Sequence, residues 1–249
     1  MTDPRDRPRK ARQRPFRIVN EDVHLIVADK DAGILTVPIP GKRSRNLKDL
    51  LDRYLVSQKR RALPVHRIDR YTSGLVVFAK SRAAWQNLVH QFRGRTPERT
   101  YLALVRGRVE PEAGTLRHRL ELTADGFRQR VVTRGGTEAV THYRVAEHLR
   151  AATLLEVRLE SGLKNQIRVQ FRAVGHPLVG DRHYAEEEAR EARLQRQALH
   201  AWKLSFLHPV TGRPVSFEAP LARDMGALVA RLRSPSNRPP GTAQEDDAR

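Results

Sequence analysis

The chain contains no cysteine, and only two methionines and two tryptophans, among its 249 residues. Without cysteine there is no disulfide, no thiolate metal site and no cysteine nucleophile, as fits a reducing compartment. Long apolar runs are missing too: no stretch approaches the roughly 20 residues that a bilayer-spanning helix needs. The N-terminal MTDPRDRPRKARQRPFR lacks the apolar core of a secretory signal, and its Asp3 and Asp6, with no serine, depart from a transit peptide. The expectation is a soluble, cytoplasmic protein with no membrane partner. Also absent are a phosphate loop ending in G-K-S or G-K-T, an H-E-x-x-H pair and a G-x-S-x-G elbow. The 10 histidines are scattered without ligand spacing, so neither a metal nor another cofactor is expected.

Negative charge is scarce: 28 Asp and Glu stand against 47 Lys and Arg, for a formal charge of +19. That excess exceeds what solubility requires and points to a polyanionic partner. Only 8 of the 47 bases are Lys, leaving 39 Arg, the side chain that grips phosphate bidentately and stacks on bases. Codon bias would also favour Arg over Lys, but it does not account for the net excess of positive charge.

Residues 1–17 carry seven Lys or Arg and almost nothing apolar, so they are expected to form a flexible basic arm, either a solvated tail or an RNA contact. The Pro-rich polar stretch from Ser234 to Arg249 is expected to be disordered. The folded body is then 18–233. Apolar runs predict strands at Val23–Ala28, Gly74–Ala79, Tyr101–Val105, Val140–Ala146, Leu154–Leu159, Trp202–Leu207 and Val215–Glu218, the last two joined by a PVTGRP turn. Helical spacing follows Asn46 (Leu47, Leu51, Leu55), Ser81 (Trp85, Leu88, Val89, Phe92) and Asn165 (Ile167, Phe171), and recurs at Met225, Leu228, Val229 and Leu232. The stretch 185–197, AEEEAREARLQRQ, reads as a charged, solvated helix with pairs such as Glu186 with Arg190. Regular strand–helix alternation is lacking, so an α+β fold is expected, with a mixed, mainly antiparallel central sheet and flanking helices.

Two segments can carry chemistry. In HRIDRYTSG, residues 66–74, Asp69 lies between Arg67 and Arg70 on a loop entering the apolar strand LVVFA. A carboxylate so placed is ordinarily a surface ion pair, but the same setting would hold a nucleophile in its anionic form. In SGLKNQIRVQFRAVGHPLVGD, residues 161–181, Arg168 falls in the first turn of a helix, from which a guanidinium reaches a neighbouring loop. Tyr101 opens a strand, where a half-buried packing role is the ordinary one, and Lys30 reads as a structural turn residue.

HRIDRYTSGLVVFAKS closely resembles the H-R-L-D-R-x-T-S-G-L signature of the RluA-type pseudouridine synthases. LIVADKDAGILTVP is similar to that family's strand and K-P-x-G turn, and ERTYLALVRG to its K-x-Y-x-A-x-V-x-G strand. SGLKNQIRVQFRAVGHPLVGD and LHAWKLSFLHPVTG resemble its helix block and closing element. These five blocks occur in family order over about residues 20 to 218. Asp31 stands where the family has proline, and Leu163, Asn165 and Gln170 where it more often has Arg, His and His. The family's frequent N-terminal S4 domain has no counterpart before the first strand.

The resemblance implies a pseudouridine synthase catalytic fold, with two subdomains around a cleft, acting as a monomer on rRNA or tRNA. It implies an isomerisation in which uracil leaves ribose C1′ through N1 and returns through C5, with no redox cofactor, nucleotide or metal. Asp69 would act at C1′, Arg168 would keep Asp69 ionised, Tyr101 would face the uracil and assist proton transfer, and Arg67 would fill the gap left by the flipped base. A second reading stays open: a non-catalytic RNA-binding protein or RNA chaperone that keeps the fold and the basic surface.

Overall fold

In the computed structural model, residues 14–126, 128–185 and 194–233 are described. Eleven strands form one sheet: β1 (Phe16–Glu21), β2 (Leu25–Lys30), β3 (Leu63–Pro64), β4 (Ser73–Ala79), β5 (Glu98–Arg106), β6 (Ala113–Leu122), β7 (Gln129–Val132), β8 (Thr137–Leu149), β9 (Ala152–Leu159), β10 (Leu199–Leu207) and β11 (Pro214–Glu218). Among the described residues four α-helices accompany them: α1 (Leu47–Leu55), α2 (Arg82–Arg93), α3 (Gln166–Ala173) and α4 (Arg223–Arg233). The order along the sheet is β1-β2-β4-β10-β5-β9-β8-β6-β7, with β3 added to β4 and β11 to β10.

The near-continuous apolar runs of β2, β4 and β5 follow from helices covering both faces. On one face, Ile26, Val76, Phe78 and Ala103 pack with Leu51 of α1 and Phe171 of α3. On the other, Leu25, Val27, Leu75 and Val77 pack with Ala84 and Leu88 of α2, while Leu102 and Leu104 pack with Met225 and Leu228 of α4. Successive residues of each strand thus serve opposite cores, as the pleat requires. Asn46 and Ser81 cap their helices as expected, accepting from the Asp49 and Ala84 amides at 2.9 and 3.3 Å.

Among the described residues all pairs of these strands are antiparallel except one. β4 and β10 run parallel and pair only through Ser73 with His200 and Gly74 with Ala201. Beyond that contact β4 continues against β3 and β10 against β11. A bulge between Ala201 and Lys203, seen in the pairing of β10 with β5, falls where β10 changes partner. The two halves of the sheet therefore meet at a seam two residues long, and the loop entering β4 lies at it.

Several elements differ from expectation. β1 begins at Phe16 and pairs with β2, so Phe16 and Arg17 belong to the body rather than to the arm. β6 and β7 were not anticipated: β6 alternates Leu116, His118 and Leu120 with the exposed Thr115, Arg117 and Arg119, a polar pattern for a strand with one exposed face. Much of the charged stretch at 185–197 lies outside the described residues, including Glu186 and Arg190, as do the tail from Ser234 and residues 1–13 of the arm. Arg196 and Gln197, placed on a solvated helix by the sequence reading, are instead buried and non-helical.

Gly74 sits at φ +110° at the seam, and a Cβ there would lie 2.2 Å from the Ala201 carbonyl oxygen. Gly74→Ala is therefore expected to cost at least about 2 kcal/mol, measured by urea unfolding, because neither backbone can retreat without breaking the seam.

Candidate active site

Asp69 lies on the loop between β3 and β4, and the loop's backbone is tied down on both sides of it. Thr36 Oγ1 donates to the Ile68 carbonyl at 2.8 Å and accepts from the Ile68 amide at 3.2 Å. The Gly33 amide donates to the Arg70 carbonyl, and the Thr72 amide to that of Asp69. Lys30 Nζ, fully buried, donates to the carbonyls of Asp31, Ile34 and Arg70 at 3.0 to 3.2 Å. Burial pushes the Lys30 pKa down to about 7, against the opposing pull of Asp69. Under the far end of the loop Arg196, paired to Asp224 at 2.7 Å, donates to the Tyr71 carbonyl and to Ser73 Oγ.

Arg168 leaves the first turn of α3 almost fully buried. Its Nε and Nη2 donate to the two carboxylate oxygens of Asp181 at 2.7 and 2.8 Å, and its Nη1 donates to Asp69 Oδ2 and to Asn165 Oδ1, both at 3.1 Å. The Tyr184 ring lies 5.0 Å from its guanidinium carbon. Burial works against the charge, but Asp181 first and Asp69 second outweigh it, so its pKa is raised. The site therefore holds a permanent cation against Asp69.

Both residues line a cleft of about 700 Å³ together with Tyr101 and Arg67. Tyr101, on β5, is buried, and burial with a smaller push from Asp69 raises its phenol pKa, so it enters as a neutral acid. Arg67 is exposed at the rim. Sequence reasoning had named these four residues, and the fold brings them to one opening. Asp69 is the lone carboxylate among the described residues lining that opening, against the bases Arg67, Arg93, Arg95, Arg99, Lys164 and Arg168. His66 stacks on Phe92 at 4.5 Å, its Nε2 accepting from the Val77 amide, and burial drives its pKa to about 3.

The departures around α3 have structural roles. Asn165 does not cap the helix: its backbone is left-handed, and its side chain instead accepts from Arg168 and donates to the Tyr184 hydroxyl. Gln170 is fully buried, accepting from Thr141 at 2.6 Å and donating to the Ala139 carbonyl at 3.0 Å. Leu163 packs beside Leu120, Ala139 and Val169. The sequence reading missed Asp181, although it closes the GHPLVGD stretch; its place in the same block as Arg168 was the available signal. Lys30, read as a turn residue, does fix a turn, and that turn is the one behind Asp69.

A family model for RNA pseudouridylate synthase matches residues 24–173, which include Asp69, Tyr101 and Arg168. The chain belongs to the RNA pseudouridine synthase family. It is 40% identical over 241 residues to the ribosomal large subunit pseudouridine synthase D of Nitrosomonas europaea, covering 92% of this chain and 69% of that protein. An uncharacterized RNA pseudouridine synthase of Bacillus subtilis is 38% identical, over 87% of this chain and 72% of that one. The solved structure of human RNA pseudouridylate synthase domain containing 4 superposes with a TM-score of 0.71 at 23% identity, covering 87% of this chain and 92% of that one, and supports the fold. As a pseudouridine synthase the chain is an isomerase that converts uridine to pseudouridine in RNA. The synthase fold expected from the sequence is the one observed, and no described helix is long and apolar enough to cross a membrane.

Replacing Arg168 by Met leaves Asp181 buried and unpaired, and is expected to cost about 3 to 5 kcal/mol in chemical denaturation. Adding Asp181→Leu should recover part of that stability without restoring isomerase activity; full recovery of activity would show that the guanidinium acts on structure alone.

His66 and His200 have folded pKa values near 3 and 4, both depressed by burial from 6.5. At these two side chains the unfolded chain therefore binds more protons between pH 6.5 and 4, so their contribution to stability is expected to fall as pH drops through that window, partly offset by Asp29, whose carboxyl pKa burial raises to about 6. Urea midpoints at pH 7 and 5 check this: His66→Gln, which keeps an acceptor for the Val77 amide, should shrink the difference, and an unchanged difference would remove His66 from the account.

Proposed function

We propose that the synthase isomerises uridine in ribosomal RNA, with Asp69 acting at ribose C1′. One observation carries the assignment of the acid: Asp69 Oδ2 lies 3.1 Å from the Arg168 guanidinium, at the base of an otherwise basic cleft. Cleaving the C1′–N1 bond develops positive charge at C1′, which an anion stabilises or attacks. Arg168, anchored by Asp181, donates to Asp69 and fixes where its carboxylate points. The freed uracil turns within the cleft, C5 attacks C1′, and the C5 proton is lost while N1 gains one. Atoms balance without any co-reactant.

Tyr101 lies against the base and handles one of these protons from its neutral form. C1′ of a stacked nucleotide is shielded, so the uridine leaves its stack, and Arg67 at the rim fills the vacated position. The ribosomal substrate rests on relatives named for the large ribosomal subunit, at up to 40% identity, and the charge of +19 supports a polyanion. A ribosomal target is in keeping with a cytoplasmic enzyme. The basic segment ahead of β1, residues 1–15, supplies further phosphate contacts in this reading.

Tritium release from unmodified ribosomal RNA labelled at uracil C5 tests the assignment. Asp69→Asn is expected to cut release to below about one thousandth of wild type while RNA affinity stays within about threefold. Activity retained by the variant would take the reaction away from Asp69. A wild type that binds but releases nothing would favour the non-catalytic RNA-binding alternative.

A further inference from the structure

The cleft holds more positive charge than the reaction uses. Arg168 is committed to Asp181, Asp69 and Asn165. Lys164 donates to the Gly126 carbonyl at 2.8 Å, and Arg67, Arg93 and Arg95 are exposed on the rim. Arg99 is different. It is half-buried on β5, two residues before Tyr101, so its side chain leaves the same face of the strand and enters the same cleft.

Its guanidinium is poorly satisfied. Nη2 donates to the Ser161 carbonyl at 3.5 Å, the limit of a hydrogen bond, and Nε is buried without a partner. No carboxylate pairs with it among the described residues. A guanidinium has five donors in a planar fork, the arrangement that suits phosphate oxygens. The opposite wall makes room for it: at Gly162 a Cβ would lie 2.5 Å from Arg99 Nη1. It lines the cleft together with His66 and Tyr101.

We propose that Arg99 is an RNA-binding residue that takes a phosphodiester flanking the target nucleotide, and that Gly162 leaves its guanidinium the space to do so. This rests on Asp69 acting at C1′, because the ribose held there carries a phosphate on each side. The half-buried fork, with one weak acceptor at Nη2 and none at Nε, gains its missing acceptors when that backbone is in place. Binding by Arg99 thus sets the depth to which the nucleotide enters, whereas the rim arginines hold the RNA outside.

The test uses a synthetic RNA stem-loop spanning the uridine that the wild type modifies in ribosomal RNA, with each flanking phosphate replaced in turn by an uncharged methylphosphonate. Arg99→Gln is expected to raise KM about tenfold and to lower the slope of log KM against log salt by about 0.7 to 0.9, one phosphate contact. One methylphosphonate should cost the wild type about tenfold and Arg99→Gln less than about twofold, while the others cost both proteins alike. Arg99→Lys should restore part of the KM. Gly162→Ala, which displaces the fork but keeps its charge, should blunt the response to the same phosphate, and this reading stands in if Arg99→Gln fails to fold. A methylphosphonate profile that is the same in wild type, Arg99→Gln and Gly162→Ala would overturn the proposal. If the wild type releases no tritium from any RNA, the functional reading falls. The Arg99 proposal is then judged on ribosomal RNA affinity, where an unchanged salt slope in Arg99→Gln overturns it.

Discussion

Everything at the site depends on one buried guanidinium. Arg168 crosses from α3 to two acids that are distant in sequence, and it uses them unequally. Asp181, fully enclosed, takes two of its nitrogens in a bidentate pair, while the partly exposed Asp69 shares a third with Asn165. A buried arginine without such partners would be costly, and Asp181 without the arginine equally so. Their mutual requirement fixes the rotamer, and the fixed rotamer leaves one N–H directed at the loop carboxylate. Asp69 thereby keeps a fixed partner while its carboxylate stays partly exposed to the cleft.

The sheet supplies the other half of that geometry. β4 and β10 touch through two residue pairs, and the Asp69 loop enters β4 at that seam. Lys30 binds the Arg70 carbonyl of the loop from the β2 side, and Arg196 reaches the Tyr71 carbonyl from the segment before β10. A loop of few residues is thus held by groups from both halves of the molecule. Its own sequence, with glycine at φ +110° just beyond it, permits the close approach that the parallel contact demands.

Much of this was legible in the residues. The runs LIVADK, GLVVFA and YLALV gave strands because both faces of those strands are apolar, and Asn46 and Ser81 marked helix starts through their side-chain acceptors. Asp69, Tyr101 and Arg168 were named from their motif blocks. β6 and β7 were missed because a strand with one solvated face, carrying Thr115, Arg117 and Arg119, and a histidine on the other, has the composition of a loop. Asn165 was expected to cap a helix, as Asn does in general, but its left-handed backbone turns the side chain toward Arg168 instead. Arg196 was read as solvent-facing because its neighbours in sequence are charged, although its neighbours in space are carbonyl groups.

The sequence by itself determined the charge, the alternation that builds a two-faced sheet, and the identities of the acid, the phenol and the guanidinium. These depend on residue type and short-range spacing, which a linear chain displays directly. Only the tertiary structure decided the partners. Asp181 with Arg168, Arg196 with the Tyr71 carbonyl, and Arg99 over Gly162 are contacts between segments separated by 13, 125 and 63 residues in the chain. A buried charge is defined by what surrounds it, and those surroundings exist only once the two halves of the sheet have met.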